Sequence, residues 1–213
     1  MKLERGQLLL YAVTDRAFAG RQTLLEQIES ALRGGATMVQ LREKTLPVRE
    51  FLAEAVEVRA LCRRYRVPLI IDDNVDVALE SGADGVHVGA GDLPVAEIRR
   101  RAGEDFIIGA TAKTVEQARF AQRSGADYLG VGAVFSSPTK RNALRITVQQ
   151  LREICQSVSI PAVAIGGITA GNAPQLCGSG IAGVAVVSAL FGAADVERAA
   201  AELKRQARAI VPF

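Results

Sequence analysis

The sequence predicts an α/β fold, a single (β/α)8 TIM barrel occupying residues 1–213 as one domain. Eight short apolar runs alternate with eight amphipathic stretches, the switch of hydrophobic period expected of β-α units on a parallel sheet. No linker-like stretch interrupts the alternation, which favours one closed barrel over two domains. A short echo also recurs ahead of four of the runs: Gly34-Gly35-Ala36-Thr37, Ser81-Gly82-Ala83-Asp84, Ser124-Gly125-Ala126-Asp127 and Ser179-Gly180-Ile181-Ala182. In each, a glycine is placed to end a helix in the left-handed conformation before the next strand begins. The spacing of the shared glycines, 35 to 82 to 125 to 180, is too uneven for a solenoid and suits barrel units with loops of different length.

The elements follow in order. The first strand is expected at 8–13 and the first helix at 22–33. A second strand at 36–41 stops at Arg42-Glu43-Lys44 before a helix at 48–65. The third strand, 67–71, stops at Asp72-Asp73 before a helix at 74–81, and the fourth, 84–88, leads through Gly89 to Asp92 and a helix at 94–101. A strand at 106–109 precedes a helix at 114–124, and a strand at 127–131 precedes the polar stretch Ser136-Ser137-Pro138-Thr139-Lys140 and a helix at 147–156. The seventh strand, 161–165, stops at Gly166-Gly167 before a helix at 171–178. The eighth, 182–187, stops at Ser188 before a helix at 193–208. Apolar runs that end repeatedly in polar or glycine-rich groups mark the C-terminal ends of barrel strands, where the active sites of such barrels lie.

Composition narrows the function classes. With 49% apolar residues, 20 glycines and no Trp, the core must be built from Ala, Val, Ile and Leu, as in sheets buried on both faces. The net charge of +3 is modest and the Arg clusters fall on helical stretches, so they are read as solvated faces and no nucleic-acid partner is expected. Cys62, Cys155 and Cys177 are odd in number and widely spaced, which supports neither a disulfide framework nor a zinc knuckle and points to a reducing, cytoplasmic setting. The apolar run 8–13 is too short for a membrane span, and no membrane partner is expected. A homo-oligomer is compatible with all of this.

Arg42 and Lys44 lie two positions apart, so along an extended chain they share a face and can converge on a polyanion. Asp72, Asp73 and Asp92 follow neighbouring strands; a hard cation such as Mg2+ needs one or two such carboxylates, with water and phosphate completing its shell. Each acid has a plainer reading as a helix cap, for the helix near Asn74 or the one opening at Pro94. Lys140 offers a point charge from a loop, while Gly166-Gly167 and Val187-Ser188 follow strands seven and eight, where barrels present backbone N–H groups to phosphate. His87 is the only histidine, which excludes a metal centre with several histidine ligands, and on a strand it reads more readily as a hydrogen-bonded interior group than as a base. Neither a G-x-S-x-G elbow nor a Rossmann fingerprint is present. The pattern is that of a site for anions.

Read together, Leu10-Tyr11-Ala12-Val13-Thr14-Asp15, Val39-Gln40-Leu41-Arg42-Glu43-Lys44, Gly82-Ala83-Asp84-Gly85-Val86-His87-Val88-Gly89, Gly125-Ala126-Asp127-Tyr128-Leu129-Gly130-Val131-Gly132, Val163-Ala164-Ile165-Gly166-Gly167-Ile168 and Gly183-Val184-Ala185-Val186-Val187-Ser188 resemble the thiamine phosphate synthase family along nearly the whole chain. The resemblance implies a catalytic domain that joins a hydroxymethylpyrimidine diphosphate to a thiazole phosphate, with loss of pyrophosphate. It implies that Gln40, Arg42, Lys44, Thr111 and Lys140 bind the pyrimidine diphosphate, with Asp72 beside them where an Asn is usual. It further implies that Asp73 and Asp92 hold Mg2+, and that Ser137, Thr139, Gly167, Val187 and Ser188 receive the thiazole phosphate. Arg42, Lys44 and Lys140 would then be the catalytic cations. Ala90, Thr111, Lys113 and Ser137 also depart from the usual family text, which affects details of pyrimidine recognition. A related thiazole tautomerase would be expected to carry its histidine where this chain has Lys113. A noncatalytic phosphate sensor would not require the acids.

Overall fold

The computed structural model describes residues 2–20, 22–136 and 144–211. Eight strands, β1 (Leu10–Val13), β2 (Met38–Leu41), β3 (Leu69–Asp72), β4 (Gly85–Val88), β5 (Ile107–Ala112), β6 (Tyr128–Gly132), β7 (Ala162–Ile165) and β8 (Gly183–Val186), pair in parallel in chain order. The pairing of β1 with β8 closes the barrel. Around it lie α1 (Leu24–Arg33), α2 (Val48–Tyr65), α3 (Val75–Ser81), α4 (Val95–Ala102), α5 (Val115–Arg123), α6 (Val148–Gln156), α7 (Ser188–Phe191) and α8 (Val196–Ile210). The expected barrel is the observed fold.

The helices start where polar side chains can take up their free N–H groups. Thr23, Thr114, Thr147 and Asp195 cap α1, α5, α6 and α8 in this way, and Thr23 and Thr147 form reciprocal capping boxes with Glu26 and Gln150. The four echo glycines, Gly35, Gly82, Gly125 and Gly180, all have positive φ, between 65° and 98°. The echo also has a second purpose. Thr37, Asp84 and Asp127 accept hydrogen bonds from the backbone N–H of Leu10, Leu69 and Ile108, each at the start of the preceding strand (2.7–2.9 Å). These bonds stitch neighbouring strands together at the barrel end away from the polar stops.

Some expectations need correction. The fifth strand runs on to Ala112 rather than 109, and the last helix spans Val196–Ile210 rather than 193–208. The helix placed at 171–178 is only a 3-10 turn, Ala173–Leu176. Asn172 and Thr169 bond to each other's backbone there, a local alternative to helix that Asn and Thr favour. The eighth strand ends at Val186 rather than 187, and the short helix α7 begins at once.

Side chains alternate along each strand. Val39, Leu41, Ile71 and Val86 point outward to the layer between strands and helices, whereas Met38, Ile70, Tyr128 and Val163 belong to a separate cluster filling the lumen. Tyr11 and Tyr128 come from strands that are not neighbours, yet their hydroxyls meet at 2.7 Å across that lumen. The same period of two carries the inner face upward from Met38 through Gln40 and Arg42 to Lys44.

Candidate active site

A cavity of about 310 Å3 opens at the C-terminal ends of the strands. Gln40, Arg42, Lys44, Asp72, Asp73, Asp92, Thr111, Gly167, Val187 and Ser188 all line it. The structure therefore brings together ten of the thirteen residues singled out from the sequence. Ser137, Thr139 and Lys140 lie outside the described residues.

The acids are arranged by a division of roles at the end of β3. Asn74 caps α3, its side chain accepting from Val77 N at 3.0 Å, so neither Asp72 nor Asp73 is spent as a cap. Asp73 sits in the left-handed region (φ 60°), an uncommon place for a non-glycine residue that Asp tolerates better than most, and its N–H donates to His87 O at 2.9 Å. Asp92 is not a helix cap either: α4 has Pro94 at its N-cap, and Asp92 Oδ2 instead accepts from Gly89 N at 2.7 Å within its own loop.

Lys44 joins the acids to the cations. Its Nζ lies 2.8 Å from Asp72 Oδ2 and also bonds Asp73 Oδ2, while Arg42 Nε lies 3.7 Å from the same oxygen of Asp72. On its other side, Arg42 Nη1 is 3.5 Å from Asp15 Oδ2. Burial pushes the Asp72 carboxyl above its ordinary range, against the pull of Lys44. Burial also works against the Lys44 ammonium, but its bonds to Asp72 and Asp73 prevail and hold it charged. Asp73 and Asp92 stand close enough for each to shift the ionisation of the other. Despite burial, Lys44 holds Asp73 below the ordinary value, whereas burial and the neighbouring Asp73 push Asp92 above it.

Two carboxylates this close repel, and a hard divalent cation relieves that repulsion. Among the described residues no group of three or more His, Cys, Asp or Glu side chains could hold a metal. The pair thus fits Mg2+, which commonly takes one or two carboxylates and completes its shell with water and phosphate oxygens, better than it fits a metal needing a full protein cage.

The other side of the cavity is mostly backbone. Gly166 and Gly167 adopt positive φ (101° and 63°), and a Cβ on Gly167 would lie 2.1 Å from Ser136 O. Asn172 Nδ2 donates to Gly167 O at 2.9 Å and steadies the turn. Val187 and Ser188 begin α7 at the neighbouring strand end.

Some residues of the site were not singled out from the sequence. Glu43, which lies between the two cations in sequence, is buried: it accepts from Arg16 Nε (2.6 Å), Lys44 N (2.7 Å), and Thr45 N and Oγ1 (2.8 and 2.9 Å). Tyr11 also lines the cavity, and Tyr128 stands behind it. A signal was available for both, since a tyrosine on a strand buried on both faces needs a partner for its hydroxyl.

The thiamine monophosphate synthase family model matches residues 10–190. The thiamine-phosphate synthase of Ruminiclostridium cellulolyticum is 50% identical over 194 residues, 91% of this chain and 92% of that protein. Thiamine-phosphate synthase 2 of Streptococcus pneumoniae is 48% identical over 195 residues, 92% of this chain and 93% of that one. The solved structure of a thiamine phosphate pyrophosphorylase from Pyrococcus furiosus superposes with a TM-score of 0.90 at 41% identity, covering 98% of this chain and 99% of that chain. A 3-hexulose-6-phosphate synthase, at 16% identity and a TM-score of 0.66, shares the fold alone.

Proposed function

Because the chain belongs to the thiamine monophosphate synthase family, we propose that it is a transferase that condenses 4-amino-2-methyl-5-(diphosphooxymethyl)pyrimidine with 4-methyl-5-(2-phosphoethyl)thiazole, or with its carboxylate form, which also loses CO2, to give thiamine phosphate and pyrophosphate. Residues 1–213 form its single catalytic domain, acting in the cytoplasm on small-molecule substrates. The observation that carries this reading is the convergence of Arg42, Lys44, Asp73 and Asp92 on one cavity whose remaining wall includes Gly167, Val187 and Ser188. Two anionic substrates need two anion sites, and this cavity has two kinds of wall.

Gln40, Arg42, Lys44 and Thr111, with Lys140, hold the pyrimidine diphosphate. Asp72 orients Lys44 and Arg42 through one of its two carboxylate oxygens, Oδ2. Asp73 and Asp92 hold Mg2+, which when bound supplies further positive charge to the diphosphate oxygens. The C–O bond to the diphosphate breaks with its electron pair leaving on oxygen, and Arg42, Lys44 and Lys140 stabilise the charge that collects there. The pyrimidine-methyl cation so formed is captured by the lone pair of the thiazole nitrogen, which closes the new C–N bond. Gly167, Val187 and Ser188, with Ser137 and Thr139, fix the thiazole phosphate so that this nitrogen faces the cation. No strong base is required, in keeping with a chain that has one histidine.

Incubating the protein with both substrates and Mg2+ should yield thiamine phosphate by mass spectrometry and pyrophosphate in equal amount. Binding of both substrates without product would overturn the reading. A thiazole tautomerase would instead convert the thiazole carboxylate phosphate alone, with neither diphosphate nor Mg2+.

A further inference from the structure

A hydrogen-bond chain runs through the barrel lumen, and both of its ends line the cavity. Gln40 Nε2 donates to Tyr11 Oη at 2.8 Å, and the Tyr11 and Tyr128 hydroxyls are 2.7 Å apart. Tyr128 Oη is 3.1 Å from His87 Nδ1, and His87 Nε2 is 3.1 Å from Thr111 Oγ1. Five strands contribute one residue each. Two glycines on inward positions leave the space for it: a Cβ on Gly109 would lie 2.2 Å from Tyr128 Cζ and 2.4 Å from His87 Nδ1, and one on Gly130 would lie 2.9 Å from His87 Cε1.

The chain is fixed at one end. An amide nitrogen only donates, so Tyr11 accepts from Gln40. The sense in which every proton of the chain then has an acceptor within it runs from Tyr11 to Tyr128 and from Tyr128 to His87 Nδ1. In that sense His87 carries its proton on Nε2 and gives it to Thr111, whose hydroxyl proton is left for the cavity. Burial raises the pKa of both phenols above the ordinary value, so each keeps a proton to pass on. The cavity is offered a carbonyl acceptor at Gln40 and a hydroxyl donor at Thr111. Neither end can reverse unless every link does.

We propose that Tyr11, Tyr128 and His87 are positioning residues that set the direction of this chain and so select a ligand bringing a donor to Gln40 and an acceptor to Thr111. The proposal rests on the synthase reading: a 4-aminopyrimidine diphosphate has a donor in its amine and acceptors in its ring nitrogens and phosphate oxygens.

The chain's single histidine makes a direct test simple, because histidine-selective 15N labelling gives one imidazole to read by NMR. The expected spectrum at pH 7 shows Nε2 protonated and Nδ1 bare, and Tyr128→Phe should shift that balance. A proton on Nδ1 in the unmodified protein overturns the proposal. Calorimetric titration with the pyrimidine diphosphate gives a second arm. Tyr128→Phe should weaken binding about tenfold in the native background, should add no further loss in a background that lacks both ends of the chain (Gln40→Ala with Thr111→Val), and should leave thiazole phosphate binding unchanged. Equal losses in both backgrounds overturn the proposal while leaving the synthase reading intact. Failure of the unmodified protein to bind the diphosphate would sink both. Tyr11→Phe replaces Tyr128→Phe if circular dichroism shows the latter misfolded.

Discussion

Arg16 and Glu43 are joined Nε to Oε2 at 2.6 Å, and the Glu43 side chain is only 3% exposed. The same guanidinium reaches Glu54 of α2 through Nη2 at 2.5 Å. The loop after β1 is thus tied to the loop after β2 and to the helix behind it. That tie holds the backbone from which Arg42 and Lys44 project. An acid lying between two site cations in sequence is, in space, the anchor of their loop.

Acid should loosen this anchor in a defined window. Burial works to raise the Glu43 carboxyl, but hydrogen bonds from Arg16, Thr45 and Lys44 N outweigh it and bring the pKa from 4.5 to about 2. A carboxyl depressed on folding contributes stability that is fully present above its unfolded value and is lost as pH falls through the folded one. The contribution, on the order of 3 kcal/mol, should be complete above pH 4.5 and should drain away between 4.5 and about 2. Urea unfolding of the native protein and Glu43→Gln at pH 7, 4 and 3 should show a stability gap that narrows with acid. A gap independent of pH would refute the role given to the carboxylate.

Asp73→Asn should remain folded and lose Mg2+-dependent turnover by more than about 100-fold. Asn is the better probe than Ala because it tolerates the left-handed backbone at this position (φ 60°). Magnetic or calorimetric titration with Mg2+ or Mn2+ in the presence of the pyrimidine diphosphate should show weakened binding. Unchanged metal affinity would reassign the pair.

Asp72→Asn should bind the pyrimidine diphosphate more tightly, by about threefold to tenfold, since it removes one negative charge beside a polyanion while keeping the side chain's shape. Asp72 Oδ2 now engages Lys44 Nζ at 2.8 Å, a bond the amide oxygen can still accept. The measurement is the Kd of the diphosphate at fixed ionic strength. Weaker binding would mean that the full charge of Asp72 is needed to hold Lys44 in place.

Gly167→Ala should raise the KM for the thiazole phosphate at least about tenfold and leave that for the pyrimidine diphosphate nearly unchanged. The new methyl would press on Ser136 O at 2.1 Å from a backbone at φ 63°, so the turn must move. Stability should fall by about 1–3 kcal/mol as well. Equal rises in both KM values would argue against separate substrate walls.

The barrel was legible because its signal is repeated. Eight strands and the helices around them follow from hydrophobic period and glycine stops, with most ends displaced by only one or two residues. The failure at 171–178 is local: Gly171, Pro174 and Gly178 crowd the stretch, and Thr169 and Asn172 bond each other's backbone instead of continuing a helix. The site was legible where residues lie next to one another along an inward face, as with Gln40, Arg42 and Lys44. Whether Asp72 or Asp73 caps α3 was open from the sequence, and the cap falls to neither, because Asn is an equally good cap and only the backbone geometry places Asn74 there. The bonds linking Tyr11, Tyr128 and His87 join β1, β6 and β4, and such a contact exists only once the sheet has closed. Arg16 and Glu43 are likewise paired by folding rather than by proximity in sequence.

The capping of α3 by Asn74 has a consequence for how this mouth can change over time. The helix takes its start from a residue that does not line the cavity, leaving positions 72 and 73 to vary for chemistry. A library at those two positions, limited at 73 to side chains that accept a left-handed backbone, should sample substrate and cation preference while most members still fold. Chemistry and foldability at the end of β3 are separately heritable, and the boundary between them is one peptide bond wide.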